Sequence, residues 1–435
     1  MPTYERNTSP APSLMTVLGA ASSRTRRSPL RFLATSSVVI LLSFSYIFYF
    51  TQFSVPYLPA HKGSRQSVST DLKIHQINHN PSFKRTIIQL PAYGPLTSSP
   101  PENLTLLLVL TNDTKSWGHM SAPLNEDWTF SDFIQRIRLQ NIPVEKLHLG
   151  LLTSDLQSYY QYIDTLSVLL PSETPWAKAE IIYLQSLPSE LNSDANEVSR
   201  WARHSPKKEF QLMRRRYMAR LRNFLSAHMM TPDIQHVVWL DSDVYELPSG
   251  MIKRFWELGN ISPKTNISRM VKAGLRETKE QNNASDEPSP EKTFEPPLPI
   301  GLVTLLSSTR GRRDYDRNAW SGFGKRPSGA DLEKVFDGKH FAGMSQWAKS
   351  VKQLIKYTGD DDIVRLDSVG GTALYIKAQL LREGVMFTPY QVSGTKWGSD
   401  GTDGIETEGM CYIAERIGWG CYALGGSWRT LHSDD

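Results

Sequence analysis

One stretch divides this chain before any other feature is read. Phe32–Phe50, FLATSSVVILLSFSYIFYF, carries no charge over nineteen positions, and the next charged residue is Lys62. Wound as a helix at about 1.5 Å per residue, such a run is ~28 Å long, close to the ~30 Å hydrocarbon core of a bilayer. Arg6, Arg24, Arg26, Arg27 and Arg31 precede it, against Glu5 alone. Positive charge on that flank predicts a cytoplasmic tail over 1–31, a transmembrane signal-anchor over 32–50 and a type II orientation for the rest. The run exceeds the apolar region of a cleaved signal peptide, and no small-x-small cleavage site follows it.

The charge balance takes its meaning from that tail. The chain has 49 Lys and Arg against 44 Asp and Glu, a net charge of +5. The first 31 residues account for +4, leaving +1 for the remainder. A pI near 8.9 therefore reflects topology, and no nucleic-acid partner is expected. Mean hydropathy of −0.38 excludes a polytopic membrane protein. Two cysteines exclude a disulfide-built scaffold and any four-thiolate metal site. Cys411 and Cys421 can form one bridge or remain two buried thiols.

Residues 51–100 are rich in Ser, Pro, Gln, Asn and His with little apolar periodicity, and read as a stem. The luminal domain is then 101–435. Sequons at Asn103, Asn112, Asn260, Asn266 and Asn283 agree with that placement, though each such triplet is common by chance.

Within this domain the apolar runs Asn103–Leu110, Leu147–Leu152 and Ala179–Leu184 alternate with helix-like Phe130–Leu139 and Tyr159–Leu169. Alternation of this kind predicts an α/β fold on a parallel sheet. A helix is expected over Glu209–Met230, then a buried strand at His236–Leu240. Polar stretches at about 264–299 and 325–362 read as insertions. Val364–His432 is dense in glycine and aromatic residues.

Asp241-Ser242-Asp243 stands just past that strand, where open α/β sheets bind ligands. Two carboxylates at i and i+2 suit a hard divalent cation such as Mg²⁺ or Mn²⁺, which in turn bridges a diphosphate. The same spacing also serves turns and helix caps. Arg214, Arg215, Arg216, Arg220 and Arg222 crowd the preceding helix; such a run is either a solvated face or a source of one or two arginines for a nucleotide. Glu406 and Glu408 open a helix-like stretch, where acidic residues either complement the dipole or serve a sugar. His432 is a metal ligand only if the chain folds back to the DSD turn. Gly370-Gly371-Thr372 permits a close backbone approach or a tight turn. Trp320 and Trp397 suit a sugar face or the core.

Together these segments resemble the fungal Golgi α-mannosyltransferases of the Anp/Van/Mnn type, glycosyltransferase family 62. The resemblance rests on Arg214–Ile252, on Tyr315-Asp316-Arg317-Asn318-Ala319-Trp320, on Leu366–Leu374, on Ile405–Gly409 and on the terminal His432, in the family's order. Ser368 stands where that family usually has glycine, and Asn103–Gln140 matches poorly. The resemblance implies a GT-A-type fold and a retaining α-mannosyltransferase in the Golgi membrane, acting on mannan or N-glycan outer chains beside other subunits of its kind. It implies Mn²⁺ as cofactor and GDP-mannose as donor. Asp241, Asp243 and His432 would hold the metal. Arg220, Arg222, Asn223, Asp241 and Gly371 would face the nucleotide sugar, and Glu406 and Glu408 the reacting sugar or acceptor. Front-face and double-displacement routes to retention both remain open.

Overall fold

The computed structural model describes residues 73–90, 101–120, 126–169, 173–185, 208–265, 267–268, 270–271, 297–309, 314–316, 318–321, 349–390, 392 and 404–433. The expected tail and transmembrane run, most of both insertions and Trp397 lie outside them. Among the described residues no helix is long and apolar enough to cross a membrane.

Among the described residues there are seventeen strands: β1 Lys73–Asn80, β2 Phe83–Gln89, β3 Thr105–Thr111, β4 His119–Met120, β5 Glu126–Asp127, β6 Leu147–Thr153, β7 Lys178–Leu184, β8 His236–Asp241, β9 Val244–Glu246, β10 Ile300–Thr304, β11 Leu306–Ser308, β12 Trp320–Ser321, β13 Lys349–Ser350, β14 Ile363–Leu366, β15 Ala373–Lys377, β16 Gly420–Leu424 and β17 Arg429–His432. Ten of them build one sheet in the order β1-β2-β7-β6-β3-β8-β15-β10-β16-β14. The expected parallel block is there, with β7, β6, β3 and β8 side by side and parallel. The sheet as a whole is mixed, because β15 enters antiparallel between β8 and β10.

The central strand shows why these sequences form strands. In β3 the side chains of Leu106 and Leu108 enter one core while Leu107 and Val109 enter the other, and all four are fully buried. A strand buried on both faces needs a continuous apolar run rather than alternation. Helices cover both faces. Phe130–Arg138 (α1), Leu156–Val168 (α2) and Met251–Gly259 (α4) contribute to the first core. Lys208–Met229 (α3), Val351–Leu354 (α5), Ala378–Arg382 (α6) and Thr407–Arg416 (α7) contribute to the second. Caps start α1 and α2 where the sequence supplies them: Thr129 and Asp132 bond reciprocally, and the Asp155 carboxylate accepts the Ser158 N–H at 2.7 Å.

Three expectations need correction. The stem read over 51–100 is not all stem, since β1 and β2 add two antiparallel strands to the sheet beyond β7. Their polar character misled because β1 is an exposed edge, and the second strand buries only Thr86 and Ile88. The second insertion does not reach 362: Val351, Leu354 and Ile355 are buried in the second core. The first begins later than 264, since Ile267 is buried and the Met270 carbonyl accepts the Ile363 N–H at 2.9 Å.

Two features shape the end of the chain. Cys411 of α7 and Cys421 of β16 form a disulfide, with Cα atoms 5.9 Å apart. A second sheet, β11-β17-β9, lays the last strand antiparallel to β9, which directly follows the DSD turn.

Candidate functional site

The site is assembled where β8 ends. Asp241 is the last residue of β8, and its N–H donates to the Thr372 carbonyl at 2.9 Å. Asp243 lies two residues on, in a turn tied down on both sides. The Ser242 hydroxyl donates to the Ser116 carbonyl, and buried Arg136 of α1, lying over Trp128, donates to the Val244 carbonyl. The fold-back that a metal-ligating His432 requires is present: His432 pairs with Val244 across β17 and β9, and the Ser433 N–H reaches the Asp243 carbonyl at 2.9 Å.

Asp241, Asp243 and His432 thus meet, each offering one ligand atom, with all three atoms within 4.8 Å of one another. The imidazole is oriented for this. Its Nδ1 faces the Ser433 carbonyl at 3.0 Å, and its Nε2 lies 2.9 Å from Asp243 Oδ1. A histidine that spends Nδ1–H on a carbonyl keeps Nε2 for a metal. Withdrawal from water pushes the Asp241 carboxyl up; Arg222 opposes this and Asp243 adds to it, and the balance is about 6. Burial would push His432 down, but the Asp243 carboxylate outweighs it and raises the imidazole to about 9. Two crowded carboxylates sharing a proton-bearing histidine form a donor set of two oxygens and one nitrogen. That set fits a divalent cation of the Mn²⁺ kind, whose charge would replace the proton.

A chain of ion pairs leads away from Asp241. Arg222 of α3 is buried, giving Nη2 to Asp241 Oδ1 and Nη1 to Glu406 Oε1, each at 3.0 Å. Arg215 continues the chain, reaching Glu406 Oε2 at 3.4 Å, Glu408 Oε2 at 3.2 Å and the Ile405 carbonyl at 2.7 Å. Glu406 caps α7 with φ 63° and ψ −122°, a conformation that L side chains rarely adopt. A non-glycine residue held there costs roughly 1–3 kcal/mol, and such strain collects at functional sites. Two backbone hydrogen bonds with Thr388 and the two arginines hold it. Glu408 is fully buried in the first turn of α7 and also accepts the Gly404 N–H at 3.2 Å.

Other expected site residues are placed differently. Arg220 is exposed and not drawn into this group. Asn223 braces backbone, donating to the Phe387 carbonyl at 2.7 Å and accepting the Phe387 N–H at 2.9 Å. Gly371 makes room for Arg222: a Cβ there would lie 2.6 Å from Nη1. Trp320 is buried core. Arg215 was absent from the expected site set, although it precedes Arg222 by two helical turns and therefore shares its face. Tyr315 and Asp316 also belong here. The Tyr315 ring stacks on His432 with centroids 3.8 Å apart.

The Anp1 family model matches residues 106–281 and 303–391, more than half of the chain. This chain belongs to the Anp1 family. The match starts inside the block Asn103–Gln140 that resembled the family least, and stops before Glu406 and His432. Among curated proteins the chain is 27% identical over 244 residues to "Mannan polymerase complex subunit MNN9" of Candida albicans, covering 55% of this chain and 52% of that protein. It is 25% identical over 255 residues to "Mannan polymerase complex subunit mnn9" of Schizosaccharomyces pombe, covering 58% and 60%. With "Mannan polymerase I complex VAN1 subunit" of Saccharomyces cerevisiae it shares 25% identity over 230 residues, 52% of this chain and 34% of that protein. The match thus spans between about a third and three fifths of these relatives' own length.

Proposed function

We propose that this chain is a metal-dependent, retaining α-mannosyltransferase of GT-A type that moves mannose from GDP-mannose to mannan or N-glycan outer chains. It works in the Golgi membrane, beside other subunits of its family. The observation that carries the reading is the meeting of Asp241, Asp243 and His432 at the carboxyl end of β8, with Glu406 joined to them through Arg222. The names of its relatives support the acceptor class and the company it keeps.

Asp241, Asp243 and His432 would hold Mn²⁺, which supplies positive charge against a leaving diphosphate. The protein's own groups do the rest. Arg222 keeps Asp241 and Glu406 in one geometry. Glu406 supplies negative charge where the sugar carbon becomes electron-poor. The Glu406 backbone, at φ 63°, is pinned by Thr388, and its carboxylate is held by Arg215 and Arg222.

The full-length chain in detergent micelles, given Mn²⁺ and GDP-mannose, is expected to release GDP, and to do so poorly with UDP-galactose or UDP-GlcNAc. Asp243→Ala is expected to abolish release in a chain that still folds at assay temperature, with a lowered thermal midpoint because buried His432 loses its partner. Full turnover in that variant would overturn the metal assignment. A second reading, an organising subunit without turnover of its own, draws on the word "subunit" in the relatives' names. It predicts no release by the wild-type chain alone and restored activity in a partner added to it.

A further inference from the structure

The three ligand residues come from widely separated parts of the sequence, Asp241 and Asp243 at the end of β8 and His432 in β17. One dipeptide, Tyr315-Asp316, touches both sides. Tyr315 lies over the His432 imidazole at 3.8 Å between centroids and 24° between planes. Its N–H donates to the Ser307 carbonyl at 2.8 Å, and Ser307 of β11 stands opposite Thr430 of β17. The tyrosine is therefore tied to the strand beside the one that carries the histidine. Tyr315 is 42% exposed, so its contact with His432 is not a by-product of core filling.

Asp316 serves the other side. Its Oδ2 accepts from the Thr372 N–H at 3.0 Å and the Thr372 hydroxyl at 3.1 Å, and its Oδ1 accepts the Asn318 N–H at 3.3 Å. The Thr372 carbonyl then holds the Asp241 N–H at 2.9 Å. Gly370 is required by this arrangement, because a Cβ there would lie 2.2 Å from Asp316 Oδ2.

We propose that Tyr315-Asp316 is the positioning element of the cation site. Tyr315 fixes the plane of the His432 imidazole so that Nε2 stays on Asp243. Asp316, through Thr372, fixes the backbone from which Asp241 projects. Neither side chain is itself a ligand. The inference rests on the reading of Asp241, Asp243 and His432 as a cation-binding group. Partners that orient a metal ligand typically affect affinity by about 10–100-fold when removed.

The test titrates Mn²⁺ alone into the full-length chain by calorimetry, with no sugar nucleotide present. Tyr315→Leu keeps bulk but loses the stack, and is expected to weaken Mn²⁺ by about 10–100-fold. Tyr315→Phe should stay near wild type, as should the control Tyr357→Ala at an exposed aromatic elsewhere. Asp316→Ala should weaken Mn²⁺ similarly. Asp316→Asn, which keeps an acceptor for the Thr372 N–H, should be milder and guards against a folding defect in the alanine variant. Because Tyr315 acts through His432, Tyr315→Leu should add nothing in a His432→Ala background. A folded Tyr315→Leu chain that binds Mn²⁺ like wild type overturns the inference alone, as does full additivity with His432→Ala. A wild-type chain that does not bind Mn²⁺ overturns the cation reading and this inference with it.

Discussion

Arg222 and Glu406 stand 184 residues apart in sequence and meet at 3.0 Å, through Nη1 and Oε1. The other terminal nitrogen of the same guanidinium holds Asp241. One side chain thus links the carboxylate at the end of β8 to the carboxylate at the start of α7. Neither Coulomb attraction nor hydrogen bonding alone explains why arginine is used. Lysine offers a single charged nitrogen, whereas the planar fork presents two donors in fixed relative directions.

The first prediction follows from that fork. Arg222→Lys keeps the charge but cannot serve both carboxylates from one planar group. Transfer is expected to fall by roughly a hundredfold, the scale seen when one preorganised charge-stabilising donor is lost. Arg222→Met should also destabilise the fold by about 3–5 kcal/mol, because it removes the buried guanidinium shared by Asp241 and Glu406 and leaves Glu406 only the longer contact with Arg215. Chemical denaturation read beside the transfer assay separates the two. Wild-type transfer by Arg222→Lys would count against the fork.

Glu406 and Glu408 should behave differently when each becomes glutamine. Glu408 has no exposed surface and is tied to Gly404 and Arg215. Its replacement by glutamine is expected to cost about 1–3 kcal/mol in stability, because the amide still offers Gly404 an acceptor and Arg215 keeps Glu406. Glu406 keeps 11% of its side chain exposed, in a strained backbone beside the ligand cluster. Glu406→Gln is expected to lose transfer while retaining Mn²⁺ affinity. Equal loss of transfer in two equally folded variants would sink this division of labour.

Much of this arrangement was legible in the sequence, for physical reasons. The continuous apolar run within Asn103–Leu110 and the strand before Asp241 had to be buried on both faces. That placed the DSD turn at the carboxyl edge of a sheet without further information. Periodicity gave α3 nearly to the residue, Lys208–Met229 against an expected Glu209–Met230. Edge strands were not legible. β1 exposes nearly every side chain described in it, so no apolar pattern is required of it. Partner choice on α3 was only half legible. Spacing puts Arg215 and Arg222 on one face, but the glutamate they share comes from nearly two hundred residues downstream. Nothing local to Asn223 says that its amide will be spent on Phe387.

Acid stability offers a prediction independent of the site. His236 is buried, with Nδ1 2.9 Å from the Tyr375 hydroxyl and Nε2 3.2 Å from Asn103 Oδ1. Burial, with Lys377 nearby, lowers its pKa from 6.5 to about 4. The unfolded chain therefore takes up a proton near pH 6.5 that the folded chain refuses until about pH 4. Stability is full above 6.5, falls by about 1.4 kcal/mol per unit as pH drops through that window, and levels off below it. The total is on the order of 3 kcal/mol. Urea midpoints measured from pH 7.5 to 4.5 should show this slope, and His236→Gln should flatten it by one proton's worth. An unchanged slope in that variant would falsify the assignment.

Asn223 separates a backbone brace from a nucleotide contact. Its amide forms a two-point pair with Phe387, matching donor to acceptor in both directions. Phe387 is fully buried against Trp239, and the next residue, Thr388, pairs with Glu406. Asn223→Ala leaves a backbone N–H and a carbonyl without partners, a cost of about 1–3 kcal/mol for each group that stays buried. Asn223→Asp should be worse than its size suggests, because a carboxylate oxygen then faces the Phe387 carbonyl in place of a donor. Both variants are expected to lower the thermal midpoint, and both should reduce transfer through a looser Glu406. The dissociation constant for GDP with Mn²⁺ should stay within about threefold of wild type, since a change below 1 kcal/mol is less than a lost hydrogen bond to a charged group. A large loss of GDP affinity with an unchanged thermal midpoint would instead make Asn223 a nucleotide-binding residue.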